Sequence, residues 1–279
     1  QRQMCIRDSS RSRPPLADGN DLCAEQGRIQ PLGSGIHQRR TVLGRDCGVA
    51  GGLATIGSLP RMTFSIVARD PNNGRFGVAV ATCHLAVGST VPHIRSGVGA
   101  VATQAHTNPY LGICGLERLE QSADADEVLN SLLADDVHRD RRQFHLIDLD
   151  GRTACWTGCD CGAWAGHRHR RNLSVAGNYL TDESVLEAME QAFLTSNPSL
   201  KLGRRLMLAL QAGEASGGDH RAQTSTSAAV QVSGEAAFPL LDLRVDFREK
   251  AVDELMELYE RSQDLWACLL YTSPSPRDQ

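Results

Sequence analysis

The sequence predicts an α+β fold: two antiparallel sheets packed face to face, with helices on the outside. Three observations point there. The predicted elements run strands, two helices, strands, two helices, strands, helix, without the regular βαβα alternation of a parallel doubly wound sheet. Most strands come in pairs joined by turn chemistry, as antiparallel ladders require. No internal repeat or linker interrupts residues 62–262, so they read as one domain.

The elements follow in chain order. TFSIVAR (63–69) alternates bulky and small residues, DPNNG (70–74) is dense turn chemistry, and RFGVAVAT (75–82) is a second β run, so the three make a hairpin. GVGAVATQ (97–104) reads as a buried strand whose small residues allow close packing. Residues 110–121 and 124–135 read as helices, the second opened by Asp124 as N-cap with Glu127 three residues on. RQFHLIDL (142–149), the turn DLDG and RTACWTG (152–158) make a second hairpin. LSVAGNYL (173–180) is a short strand running into a loop. Asp182 is placed to cap a helix through Thr195, and residues 200–212 form another. SAAVQVS (227–233) and FPLLDLRV (238–245) are a last strand pair, and 249–262 is an amphipathic helix.

Composition narrows the function. Hydrophobic residues make up 41% and charged residues 22%, near globular norms, so a packed core is expected. A net charge of −4 offers no polybasic surface, and 5% aromatics weakens a base-stacking role, so nucleic acid is not expected as a partner. No segment approaches the ~18 consecutive apolar residues of a membrane span, so no membrane association is expected. The nine cysteines show no disulfide-scaffold spacing, which favours a reducing compartment. Lys201 and Lys250 are the only lysines, so a catalytic lysine has two candidates.

The ends read differently from the middle. MCIRDS (4–9) and CLLYTSPSPRD (268–278) can both be encoded by one inverted nucleotide repeat, which resembles a sequencing-library adaptor translated in two frames. Residues 10–61 are rich in Gly, Pro, Arg and Ser with no sustained period of 2 or 3.6, so 1–61 are expected to be non-native or untranslated upstream sequence and 263–279 an adaptor-derived tail, both disordered. Translation is expected to start at Met62 and the product to be cytoplasmic. An alternative is periplasmic: QRRTVLGRDCGVAGGLATIGSLP (38–60) resembles a twin-arginine export signal, although Asp46 interrupts its apolar stretch.

Thr63 is the first chemical candidate. The small residue after Met62 favours removal of the initiator methionine, which would leave Thr63 with a free α-amine. That amine has an unperturbed pKa of ~7.7–8.0, close to the pH where a general base works best. A threonine carrying its own N-terminal amine is a recognised activated nucleophile. From local sequence alone, Thr63 reads better as a β-branched residue that opens a strand than as a nucleophile.

The motifs TFSIVARDPNNGRFGVAVAT, AVGSTVPHIRSGVGAVATQAHTNP, TGCDCGAWAGH, VAGNYL, EASGGDHRAQTS and PLLDLRVD, in that order, resemble the bacterial and archaeal family known as domain of unknown function 1028. The resemblance spans about 62–262. It implies the four-layer αββα sandwich of N-terminal-nucleophile (Ntn) hydrolases and an amidohydrolase cleaving a C–N amide bond in a small or peptide-like substrate. It implies no cofactor. Ntn relatives often assemble, so a homo-oligomer is an expectation.

The opening hairpin also resembles the nucleophile hairpin of asparaginase-type Ntn enzymes. By that analogy Thr82, at the end of the second strand, lies beside Thr63 and orients its hydroxyl. Ser65 shares the face of Thr63 by the period of two. No lysine lies near the hairpin, so the α-amine is the expected base unless His84 serves. Asn178 is the first choice as donor to a tetrahedral oxyanion, with Gly177 beside it to permit an unusual backbone. Gln104, His106 and Asn108 alternate and are expected on one face as substrate binders. Asp219 and Arg221 are expected to clamp a substrate carboxylate.

Two other readings stand beside this one. One is a non-catalytic binder of amide or peptidoglycan fragments on the same fold. The other is a metalloprotein using Cys155, Cys159, Cys161, His167 and His169, whose spacing is a weaker zinc signal than two separated C-x2-C pairs, so no metal is expected. No P-loop, G-x-S-x-G, G-x-G-x-x-G or H-E-x-x-H motif is present.

Overall fold

The computed structural model describes residues 62–121, 124–162, 164–217 and 224–263. The upstream segment, the tail beyond 263, Asp219 and Arg221 lie outside the described residues. The strands are β1 (Thr63–Arg69), β2 (Phe76–Thr82), β3 (Pro92–Arg95), β4 (Gly99–Ala105), β5 (Arg142–Asp148), β6 (Thr153–Thr157), β7 (Ala165–Arg170), β8 (Leu173–Asn178), β9 (Ser227–Ser233) and β10 (Pro239–Val245). The helices are α1 (Pro109–Glu120), α2 (Ala125–Asp135), α3 (Ser184–Thr195), α4 (Leu202–Ala215) and α5 (Ala251–Arg261).

The strands form a six-stranded sheet, β10-β9-β2-β1-β8-β7, and a four-stranded sheet, β3-β4-β5-β6, with antiparallel pairing throughout. Helices α3, α4 and α5 cover the outer face of the larger sheet, and α1 and α2 that of the smaller one. The result is a four-layer αββα sandwich.

Alternation along the strands makes the layers. In β1, Phe64, Ile66 and Ala68 face the helices, while Val67 faces the second sheet. In β2, Ala79 and Ala81 face the helices, and Phe76, Val78 and Val80 fill the seam between sheets. Gly77 lets α4 press close, since a Cβ there would lie 2.5 Å from Leu206 Cδ1. The apolar seam is completed by Val87, Val91, Ala100, Ala102, Ile147 and Ala229. Burial of this kind is worth roughly 25 cal/mol per Å2 of apolar surface and is the main driving force for stacking the sheets.

Two strands escape the sequence pattern. β3 (PHIR) begins on a proline, which only an edge tolerates. β7 (AGHRHR) has no apolar alternation because it is the outermost strand of its sheet. Asp124 caps α2 as expected, accepting from the Glu127 N–H at 2.9 Å. Asp182 lies one turn residue earlier than expected: it accepts from the Ser184 N–H at 2.8 Å, and Glu183 stands at the cap position.

Candidate active site

At one end of the larger sheet three neighbouring strands place polar residues in a row. Thr63 of β1 is directly opposite Thr82 of β2 on one side and Asn178 of β8 on the other. Residues opposite one another share a face, so all three side chains belong to the seam between the sheets. The seam therefore grades from apolar at the far end of β1 to polar at Thr63.

Proton counting fixes the direction of the hydrogen bonds at Thr63. The Thr82 hydroxyl has one proton and donates it to the carbonyl oxygen of Met62, 2.5 Å away. Its contact with Thr63 Oγ1 at 3.0 Å must then be accepted, so Thr63 donates to Thr82. The His84 N–H also points at Thr82 Oγ1, at 3.4 Å. Thr63 is 6% exposed with residue 62 attached, and the Met62 side chain is fully buried.

Behind this row lies a buried network that sequence reasoning missed. Gln143, on the middle strand β5, turns its Nε2 toward Thr157 Oγ1, Gly166 O and Gly177 O at 2.8–3.0 Å. Its Oε1 is thereby aimed the other way and accepts from Gln104 Nε2 at 2.8 Å and Asn178 Nδ2 at 2.9 Å. Asn178 is thus oriented, and its Oδ1, fully buried, has no hydrogen-bond partner among the described residues. The expectation of Asn178 as an oxyanion donor meets a structure in which one N–H is committed to Gln143 and the open atom is an acceptor. The unusual backbone is at Tyr179 (φ 54), not Gly177, whose lack of a side chain admits Leu180.

Ser65 continues the network. Its hydroxyl donates to Gln104 Oε1 at 2.6 Å and lies 2.8 Å from His145 Nε2. His145 Nδ1 lies 2.5 Å from Ser174 Oγ, which in turn lies 3.2 Å from Cys155 Sγ. Burial pulls His145 down to about 3, with smaller contributions from His167 and His169, so the ring is neutral at pH 7. Ser65 and Gln104 are therefore seam residues with no open face. No motif flags Gln143, His145 or Ser174; only their polarity at buried, alternating strand positions signals them.

A cleft of about 310 Å3 opens over the row and is lined by Thr63, Thr82, His84, His106, Asn178 and Tyr179, among others. Left-handed residues cluster around it: Ala86 (φ 52), Ala105 (φ 68) and Tyr179 (φ 54). Ala105 ends β4 and breaks the period of two, so Gln104, His106 and Asn108 do not share a face. Gln104 is buried, His106 reaches the cleft, and Asn108 caps α1 by accepting from the Tyr110 N–H at 3.1 Å. Arg142 donates from Nη1 to His106 Nδ1 at 2.8 Å, leaving Nε2 of the neutral ring as a donor.

The cysteine and histidine cluster does not converge. Cys155 contacts Ser174, Cys161 donates to Arg142 O at 3.2 Å, His167 meets Thr157 and His169 meets Thr153. Among the described residues no group of three or more His, Cys, Asp or Glu is placed to hold a metal ion. Burial pushes the Cys161 thiol up to about 11 and Cys155 up to about 12, so neither is a thiolate at neutral pH. Among the described residues no helix is long and apolar enough to cross a membrane.

The model of a family of unknown function, DUF1028, matches residues 63–255. The crystal structure of protein SPO2555 from Silicibacter pomeroyi, a DUF1028 protein, is 32% identical with a TM-score of 0.70, over 78% of this chain and 97% of that one. Anbu (ancestral beta-subunit) from Yersinia bercovieri matches over 76% of this chain and 98% of its own, at 9% identity and a TM-score of 0.37. No curated protein matches the chain.

Proposed function

This chain belongs to the DUF1028 family, and we propose that it is an N-terminal-nucleophile amidohydrolase in which Thr63 attacks the carbonyl carbon of an amide. One observation carries the reading: the directed chain from Thr63 Oγ1 to Thr82 Oγ1 to the carbonyl oxygen of residue 62, on the floor of the cleft. The Thr82 hydroxyl already polarises a carbonyl joined to Thr63. Once Met62 is removed, that hydroxyl has lost its acceptor, and a substrate carbonyl can take the place.

The reaction then runs as follows. The freed α-amine of Thr63 accepts the hydroxyl proton as Oγ1 bonds to the carbonyl carbon. The Thr82 hydroxyl donates to the resulting oxyanion, a contact typically worth ~2.7–4 kcal/mol. The α-ammonium protonates the departing nitrogen as the C–N bond breaks, leaving an acyl ester on Thr63. Water, deprotonated by the same amine, clears the ester. The unpartnered Oδ1 of Asn178, opposite Thr63 in the ladder, is suited to accept a hydrogen bond from that amine. This assigns Asn178 to the base and Thr82 to the oxyanion.

The test has two arms. Protein expressed from Met62 is weighed intact; the reading expects loss of methionine and an N-terminal Thr63. A panel of small amides and peptides is then offered to the wild type and to Thr63→Ala. Hydrolysis by the wild type alone supports the mechanism, and equal hydrolysis by the variant moves the nucleophile elsewhere. Ligand binding without turnover by either protein would favour the non-catalytic binder.

A further inference from the structure

We propose that the group recognised in the cleft is an amino-acid head, its carboxylate held by Arg141 and its ammonium by Asp160. The proposal deepens the amidohydrolase reading, on which it rests for the identity of the reacting bond. Arg141 and Asp160 both line the cleft that contains Thr63. They form no ion pair with each other, and neither has an ion-pair partner among the described residues.

The arginines on either side of Arg141 behave differently. Arg142 is tied to Asp136 at 2.7 Å and to His106, and Arg139 Nη1 reaches Leu133 O at 3.5 Å. Arg141, exposed at the rim of the cleft, makes no side-chain hydrogen bond or ion pair among the described residues. Its backbone, by contrast, is fixed: the Arg141 N–H bonds to His138 O, and its carbonyl accepts from the His106 N–H.

Two loops interlock through their backbones beneath these side chains. Trp156 Nε1 donates to Arg139 O at 2.8 Å, the Asp160 N–H to Asp140 O at 2.7 Å, and the Gly158 N–H to Arg142 O at 2.9 Å. The loop carrying Asp160 and the turn carrying Arg141 are therefore one rigid piece. Opposite charges carried on one tied backbone framework and not paired with each other fit a ligand that carries both signs. The cleft volume of about 310 Å3 is at the small end of ligand sites, suited to a head of amino-acid size.

The experiment uses four p-nitroanilides built on the same butanoyl skeleton, with or without a carboxylate and an ammonium on its fourth carbon: γ-glutamyl (both charges), glutaryl (carboxylate only), 4-aminobutanoyl (ammonium only) and butanoyl (neither). The expected kcat/KM falls by about ten- to a hundredfold for each charge removed. Arg141→Gln should bring the γ-glutamyl to 4-aminobutanoyl ratio close to one, with Arg141→Lys restoring part of it. Asp160→Asn should do the same to the γ-glutamyl to glutaryl ratio. In parallel, L- and D-glutamine, glutaramate (no ammonium) and 4-aminobutanamide (no carboxylate) are titrated calorimetrically into the Thr63→Ala protein. Glutamine binding that needs both charges, without anilide hydrolysis, keeps the head site and removes the amidohydrolase reading. Hydrolysis indifferent to charge keeps that reading and overturns the head site. Neither binding nor hydrolysis overturns both.

Discussion

Ser65 Oγ and His145 Nε2 meet at 2.8 Å across the two sheets, and the protons on either side dictate which is the donor. Ser65 gives its hydrogen to Gln104 Oε1, so the His145 Nε2–H must donate to Ser65. Nδ1 is then an acceptor and Ser174 donates to it. The bonds run in one direction, from Ser174 through His145 and Ser65 to Gln104 and Gln143. A neutral imidazole completes this arrangement, and an imidazolium breaks it.

This makes the fold acid-sensitive. The folded-state pKa of His145 is pulled down from 6.5 to about 3 by burial. Below pH 6.5 the unfolded chain binds a proton that the folded chain refuses. The neutral-ring contribution is therefore present above about pH 6.5 and is lost as pH falls toward 3, at up to about 1.4 kcal/mol per pH unit. Urea unfolding at pH 7, 5.5 and 4.5 should show this slope. His145→Gln should be less stable at pH 7 and flatter with pH. A variant with the wild-type slope would show that His145 is not the group responsible.

Much of this architecture is legible in the sequence. The hairpin 63–82, the capping residue Asp124 and the two helix pairs follow from periodicity and turn chemistry, because local rules and tertiary packing agree there. Thr82 is placed beside Thr63 by the resemblance of the hairpin to a nucleophile hairpin, and the two residues are opposite one another in the ladder. What is illegible depends on contacts between the sheets. Gln143 orients Asn178 from a strand 35 residues away in sequence, and no local pattern encodes that. Asn108 looks like a site residue by spacing, but Ala105 adopts φ 68 and ends the alternation that the spacing assumed.

Thr82 is the sharpest test of the directed chain at the nucleophile. Thr82→Val keeps the shape and removes the hydroxyl. If Thr82 donates to the oxyanion, kcat should fall about 100- to 1,000-fold with little change in KM. Thr82→Ser should recover most of the rate. An unchanged kcat in Thr82→Val would assign the oxyanion to other donors, such as His106 Nε2 on the cleft wall.

Asn178→Asp tests the partner of the α-amine. A carboxylate at this position would favour the ammonium form of Thr63, raising the pKa of its amine by about 1–3 units. The free amine is the base, so the acid limb of the kcat/KM profile should move to higher pH by the same amount. Activity lost at pH 7 should return near pH 9. The same limb in variant and wild type would show that Asn178 does not touch the amine.

Gly158→Ala tests whether the interlocked loops set the cleft. A Cβ on Gly158 would lie 2.3 Å from Asp140 O and 2.6 Å from Arg139 O, both backbone atoms that cannot step aside as a side chain would. The loops must separate, and overpacking of this kind typically costs about 1–3 kcal/mol. Because Arg141 follows Asp140 directly, the separation should also displace its guanidinium. The natural control is Gly97→Ala. Gly97 has φ 71 and nothing within 4 Å, so its cost is conformational, about 1 kcal/mol, at the β3–β4 turn away from Thr63. Thermal unfolding should rank both variants below wild type, while the ratio of γ-glutamyl to butanoyl turnover should fall only in Gly158→Ala. A fall of equal size in both would mean that lost stability, not loop geometry, governs recognition.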